Sequence, residues 1–252
     1  MKQNRNGHVR IIADDYGLGP KHDAVIRFLI RKRKITGTSV LIDHVGESSL
    51  DELKKEHHAH ARIGLHFNLT LHSKDITYPQ RNAWLLGLGW NKTDIQDELK
   101  RQLQLFTQKF GHLPHHIDGH EHVHAYPKAA SVTAKIAREH NIPIRDITQP
   151  HPLRSAKECV LHMLGIYLRR KARTYDITLN STLRGAIDLG DIKKAKKSYA
   201  NIFDDAYAQT SNPTEIMVHP GSRFDPHQIS GHDGSVRSFE AAYLYLAAQK
   251  DN

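Results

Sequence analysis

Cysteine is nearly absent. The single Cys159 excludes an internal disulfide framework and a cysteine-based zinc site, so any metal must be held by histidine and carboxylate. Long apolar runs are missing as well: none approaches the roughly 20 residues needed to span a bilayer. The opening stretch, Met1-Lys2-Gln3-Asn4-Arg5-Asn6-Gly7-His8, leads into a short strand and not into the apolar core of a signal peptide. A soluble, cytoplasmic protein without a transmembrane segment is therefore expected. The first strand is not followed by Gly-x-Gly-x-x-Gly, which disfavours a dinucleotide-binding fold. Internal repeats and low-complexity linkers are missing too, which predicts one domain over residues 1–252. With 252 residues and 38% hydrophobic content, the chain can bury a sizeable core.

Acidic surplus is also lacking, and the formal charge of +9 is uneven. Residues 154–200 hold 11 Lys or Arg against 4 Asp or Glu, a net +7 in one segment. Runs such as Arg169-Arg170-Lys171-Ala172-Arg173 and Lys193-Lys194-Ala195-Lys196-Lys197 read first as solvated helix faces. Their functional reading is attraction to an anionic partner, either nucleic acid or a membrane surface carrying a lipid-linked substrate. No nucleic-acid motif accompanies them, so no specific nucleic-acid binding is expected.

What the chain has in abundance is histidine. His116-Ile117-Asp118-Gly119-His120-Glu121-His122-Val123-His124 packs four imidazoles and two carboxylates into nine residues. If residues 116–120 are extended, alternate side chains point the same way, and His116, Asp118 and His120 face one pocket. That is a metal-site pattern, against the alternative of a solvated histidine-rich loop. Other polar groups sit where apolar runs end. Ile11-Ile12-Ala13 runs into Asp14-Asp15-Tyr16-Gly17, Ala61-Arg62-Ile63-Gly64-Leu65 into His66-Phe67-Asn68-Leu69-Thr70, and Glu215-Ile216-Met217-Val218 into His219-Pro220-Gly221. Singly, each has an ordinary structural reading as a capping turn, a core histidine or a loop. Together they resemble a parallel α/β fold whose active site lies at the carboxyl ends of its strands.

Helical spacing predicts helices over 23–34, 127–141, 192–208 and 239–248, with one opened by a Ser49/Glu52 capping box and another by Thr93 and Gln96. Strands are expected at 38–42, 142–147, 175–179 and 215–218. The Gly- and Trp-containing excursion from Tyr78 to Trp90 is where a substrate-binding lid would sit. Tyr16, Phe67, Trp84 and Trp90 are candidates for stacking on sugar rings, although such aromatics are often packing.

The four segments around Asp14-Asp15, His66, His116 to His124 and His219-Pro220-Gly221, in this order and spacing, resemble the signatures of the YdjC/ChbG-like carbohydrate deacetylases. The chain departs from the family's usual residues at Ile12, Tyr16, Gly119 and Val218, which spares the ligand positions. The resemblance implies an irregular (β/α) barrel of about seven parallel strands, with Asp15, His66 and His120 as metal ligands and Asp14 as general base. Its cofactor would be one divalent ion, magnesium or zinc foremost. Its substrate would be a small oligosaccharide or a glycolipid bearing an N-acetylated amino sugar. His219 is the candidate general acid and Arg145 a candidate partner of Asp14. Asp118 is expected to orient a ligand imidazole or to bind substrate, as are Tyr16 and Asn68 on the substrate side. His122 and His124 are not taken as ligands. A homo-oligomer is left open. Two competing readings are a metal-dependent phosphoesterase, which lacks the carboxylates of a two-metal site, and a catalytically silent carbohydrate-binding protein, which would have no need of a base.

Overall fold

A computed structural model describes residues 9–57, 61–71, 91–148, 155–180, 182–185, 191–208, 213–226 and 234–247. The lid candidate, with Trp84 and Trp90, lies outside the described residues. Strands and helices alternate: β1 (Val9–Tyr16), α1 (Pro20–Arg31), β2 (Gly37–Val40), α2 (Glu47–His57), β3 (Arg62–Phe67), α3 (Lys92–Phe110) and β4 (Ile117–Gly119). A 3-10 turn (His120–Ala125) follows, then α4 (Pro127–His140), α5 (Ala156–Thr174), β5 (Thr182–Gly185), α6 (Ile192–Ala208), β6 (Thr214–Val218) and α7 (Gly234–Ala247). The pairings of β1 with β2 and with β6, of β3 with β4 and of β5 with β6 are all parallel, as the α/β class requires of strands joined by helical crossovers. No helix among the described residues is long and apolar enough to cross a membrane.

The chain folds as two compact units. The first takes Met1–Val40, His44–Arg62 and Ser181–Asn252. Its strands lie in the order β2-β1-β6-β5. Val9 pairs with Thr214 and Ala13 with Val218, so β1 and β6 run in step to their carboxyl ends. Both strands are almost wholly buried, which is why they read as near-continuous apolar runs. Ile12, Ile26, Leu29 and Ile216 form part of this core, and each such side chain contributes about 1.5–3 kcal/mol on full burial. Helix α1 starts at Pro20, whose missing N–H is no loss in a first turn. The Asp225 carboxylate accepts the Lys21 and His22 N–H groups at 2.8 and 3.1 Å. A Cβ at Gly19 would lie 2.4 Å from that carboxylate, so only glycine admits the cap.

The second unit takes Leu41–Asp43 and Ile63–Asn180. Here β3 pairs with β4, and two single-residue bridges, Ile117 to Ile144 and Ile144 to Leu179, extend the parallel order. The described residues thus hold six strands, not about seven. The strands expected at 142–147 and 175–179 are reduced to those bridges. Pro143 has no N–H for a ladder, and Tyr175 and Asp176 are spent closing α5, Asp176 with φ 51°. Helix α3 opens at Asn91, whose side chain accepts from Thr93 and Asp94 while Asp94 accepts the Asn91 N–H. That box replaces the expected start at Thr93 and Gln96, since Asn caps better than Thr. Ser49 likewise lies inside α2, because the Leu50 N–H already reaches the Gly46 carbonyl at 2.9 Å.

Candidate active site

In the first unit the end of β1 carries two adjacent carboxylates. The β1–β2 register shifts between Ala13 and Tyr16, so Asp14 and Asp15 sit in a bulge that re-aims their side chains. Asp15 adopts φ 67°, a left-handed conformation unusual for a residue with a side chain, and both carboxylates are buried. Arg237 of α7 donates through Nη2 to Asp15 Oδ2 at 2.7 Å, and the pair is almost completely excluded from water. At the end of β6, His219 is buried, and its backbone N–H donates to Glu240 Oε2 at 2.7 Å. Glu240 also accepts the Tyr199 hydroxyl. Burial raises the Glu240 carboxyl to about 7 against the opposing pull of these hydrogen bonds.

Tyr16 is fully buried, its hydroxyl donating to the Ser49 carbonyl at 2.6 Å and accepting from Arg27 at 2.8 Å. The ring is thus enclosed in the first unit and its hydroxyl anchors α1 and α2. Phe67, in the second unit, is likewise fully buried.

The second unit gathers the histidines. His66 lies one residue before the end of β3, and its Nδ1 lies 2.7 Å from Asp118 Oδ1 on the neighbouring β4. An ionised carboxylate can only accept, so Nδ1 carries the proton and Nε2 is left as the donor atom for a cation. The His120 ring meets that of His66 at a centroid distance of 5.7 Å and 74°. Asp118 Oδ2 takes Arg145 Nη2 at 2.7 Å and stands 3.3 Å from His116 Nε2. Arg145 therefore has Asp118 as an ion-pair partner, both fully buried. Burial alone would raise the Asp118 carboxyl, but the Arg145 charge, followed by His66, holds it well below the usual carboxylate range. Gly64 makes room for this arrangement, because a Cβ there would lie 2.3 Å from the His116 ring.

Asn68 closes the turn after β3: its Oδ1 accepts the Thr70 and Leu71 N–H groups at 3.0 and 2.8 Å, and its Nδ2 donates to the Leu71 carbonyl. Past His120 the chain turns through Glu121 and His122 at φ 51° and 61°. His124 lies beyond it, with Nε2 donating to the Arg145 carbonyl at 3.2 Å. Burial lowers His124 to about 4, so it is neutral near pH 7.

Two sets of buried donors could hold a metal ion: Asp15 with His66 and His120, and Asp14 with His66 and Asp118. Donor chemistry separates them. Both Asp118 oxygens are already engaged, by His66 and by Arg145, whereas one carboxylate with two imidazoles is a common set for a divalent cation. The residues present therefore fit such an ion through the first set. Arg237, Glu240 and Tyr199 escaped the sequence reading. A signal existed, because Arg237 and Glu240 are the only charged residues in α7, and charges in an apolar helix are buried only when paired.

The fold is that of a parallel α/β protein, with buried carboxylates at the end of β1 in the first unit and buried imidazoles after β3 and β4 in the second, the donor types that a divalent cation takes. Residues 8–248 match the YdjC-like protein family, and the chain belongs to it. The chitooligosaccharide deacetylase of Proteus mirabilis is 28% identical over 236 residues, covering 89% of this chain and 86% of that protein. A carbohydrate deacetylase of Danio rerio is 25% identical over 261 residues, covering 86% and 83%. A crystal structure of an Enterococcus faecalis protein named for cellobiose-phosphate cleavage shares the fold, with a TM-score of 0.70 and 20% identity over 96% of this chain and 92% of that one.

Proposed function

We propose that this chain, acting as a single catalytic domain, is a metal-dependent hydrolase that removes acetyl groups from N-acetylated amino sugars. The substrate would be a chitooligosaccharide or a lipid-linked N-acetylglucosamine. The observation that carries the reading is the buried donor set of Asp15, His66 and His120, with a second carboxylate, Asp14, next in the chain to Asp15. The relatives' names supply the substrate class.

The chemistry a divalent ion, magnesium or zinc, supplies in such a set is Lewis acidity, which makes water nucleophilic near neutral pH and polarises an acyl oxygen. Asp14 takes the proton as the water oxygen attacks the acetyl carbonyl. His219 gives a proton to the sugar nitrogen as the C–N bond breaks, releasing acetate and a free amine. Asp118 holds His66 in the tautomer that offers Nε2, and Arg145 keeps Asp118 ionised. Acetate release from N-acetylglucosamine oligomers, assayed beside a phosphodiester, tests the reading. Phosphodiester hydrolysis without acetate would replace it with a phosphoesterase, and sugar binding with neither product would leave a binding protein.

A further inference from the structure

Helix α7 reaches the ends of two strands through the only charged residues it has. Arg237 and Glu240 are three apart, so they share a face, and both are buried. Arg237 engages Asp15 Oδ2 at 2.7 Å, its Nη1 stands 3.5 Å from the His219 carbonyl, and its own carbonyl accepts the Gly221 N–H at 3.1 Å. Glu240 accepts the His219 N–H and the Tyr199 hydroxyl. Aromatic contacts of Tyr199 with Phe239 and Tyr243, at 5.5 and 5.3 Å between centroids, pack α7 on α6.

We propose that Arg237 and Glu240 are positioning residues, Arg237 fixing the Asp15 carboxylate as a metal ligand and Glu240 fixing the backbone that presents His219. The proposal rests on the deacetylase reading above. Stability alone does not explain the arrangement, since a buried ion pair is commonly replaced by apolar residues without loss. Asp15 is a case where position matters: its backbone is held in a left-handed conformation and its Oδ2 accepts from Arg237 Nη2 at 2.7 Å. The guanidinium directs Nη2 to that oxygen while Nη1 faces the His219 carbonyl. It also repels a cation, so a loss of metal affinity on removing it would show that orientation outweighs charge.

The experiment uses the full chain and its Arg237→Gln, Arg237→Lys and Glu240→Gln variants. Zn²⁺ and Mn²⁺ affinities are measured by calorimetry, and acetate release is followed across a metal titration. Arg237→Gln should weaken metal binding roughly 10- to 100-fold, with turnover recovering as metal is raised. Arg237→Lys keeps the charge but not the fork and should recover only part of the affinity. Glu240→Gln should lower kcat while metal affinity and KM stay as in the wild type. Wild-type metal affinity in both Arg237 variants, or lost turnover that saturating metal does not restore, overturns the Arg237 role; unchanged kcat in Glu240→Gln overturns the other. If Arg237→Gln fails to fold, Arg237→Lys decides. A wild-type protein that neither binds metal nor releases acetate refutes the deacetylase reading instead, which separates the two failures.

Discussion

Replacing Asp118 by Asn tests the second unit's polar network, because it keeps the side chain's size and removes its charge. Asp118 serves His66, His116 and Arg145 through two oxygens, all in surroundings without solvent access. An amide offers one oxygen and turns an NH₂ toward a donor. It leaves the Arg145 guanidinium buried without its counter-charge, and breaking one side of a buried pair costs about 3–5 kcal/mol. For a chain of this size each kcal/mol shifts the melting temperature by about 2–4 °C, so a fall of roughly 10 °C is expected. Metal affinity should fall as well, about 10- to 100-fold, since the His66 tautomer is no longer enforced. The two effects separate in Asp118→Asn combined with Arg145→Met, which removes the stranded charge. Most of the melting temperature should return while metal affinity stays low. Calorimetric melting of the metal-free proteins and a metal titration decide it. A single variant that melts within 2 °C of wild type, or a double variant that regains metal binding, would refute the reasoning. Acid gives an independent check. The folded carboxyl lies below its ordinary value of 3.8, so its contribution is complete above that pH and is lost only as pH falls further.

Much of the fold was legible because parallel strands covered on both faces are short apolar runs with polar ends. β1, β3 and β6 announce themselves in this way, and helical spacing predicts α6 over the same residues, Ile192–Ala208, that the structure shows. The Lys193, Lys194, Lys196 and Lys197 side chains of that helix are exposed, as expected of a solvated face. Reading failed where one signal served two purposes. Ile142-Pro143-Ile144 is β-branched enough for a strand, yet its proline breaks the ladder and a single bridge remains. Ser49 looked like a cap because Glu52 follows at the right spacing, but its hydroxyl is bonded to Asp23.

In the site, local spacing showed which residues carry chemistry and not whom they touch. Alternation along an extended segment suggested that His116 and Asp118 share a face, and the structure has them 3.3 Å apart. It could not reveal that Asp118 sits across from His66, 52 residues earlier, because that contact depends on the β3–β4 register. Its place at a strand end suggests Arg145 as a partner of Asp14, and the contact the second unit shows is with Asp118. Arg237 is 222 residues from Asp15, and no local pattern links them. Its clue was compositional, a charge pair isolated in an otherwise apolar helix.

Three further outcomes are expected. Asp14→Asn should keep metal and lose on the order of 10²-fold or more in turnover, the usual share of a general base, whereas Asp15→Asn should weaken metal binding and regain activity at high metal. A metal titration of both would show the roles exchanged if the pattern is reversed. The full chain should bind nucleic acid weakly, without sequence preference and with a steep fall as salt rises, because the lysines of α6 are exposed on a helix face and no nucleic-acid motif accompanies them; selective binding at physiological ionic strength would contradict this. Glu240 gives the last prediction, on stability against pH. Its carboxyl is raised from 4.5 to about 7 in the folded protein by burial, so the native state binds the proton more tightly than the unfolded chain does. The sign follows: this contribution is complete below about pH 4.5 and is lost as pH rises through 7. The rise corresponds to about 3 kcal/mol across that window. Glu240→Gln keeps a neutral side chain at every pH, so its stability relative to wild type should improve by that order between pH 4.5 and pH 8. Urea unfolding of the metal-free proteins at both ends measures the difference directly, and a wild-type-to-variant gap that does not change with pH would mean that Glu240 keeps its charge in the core.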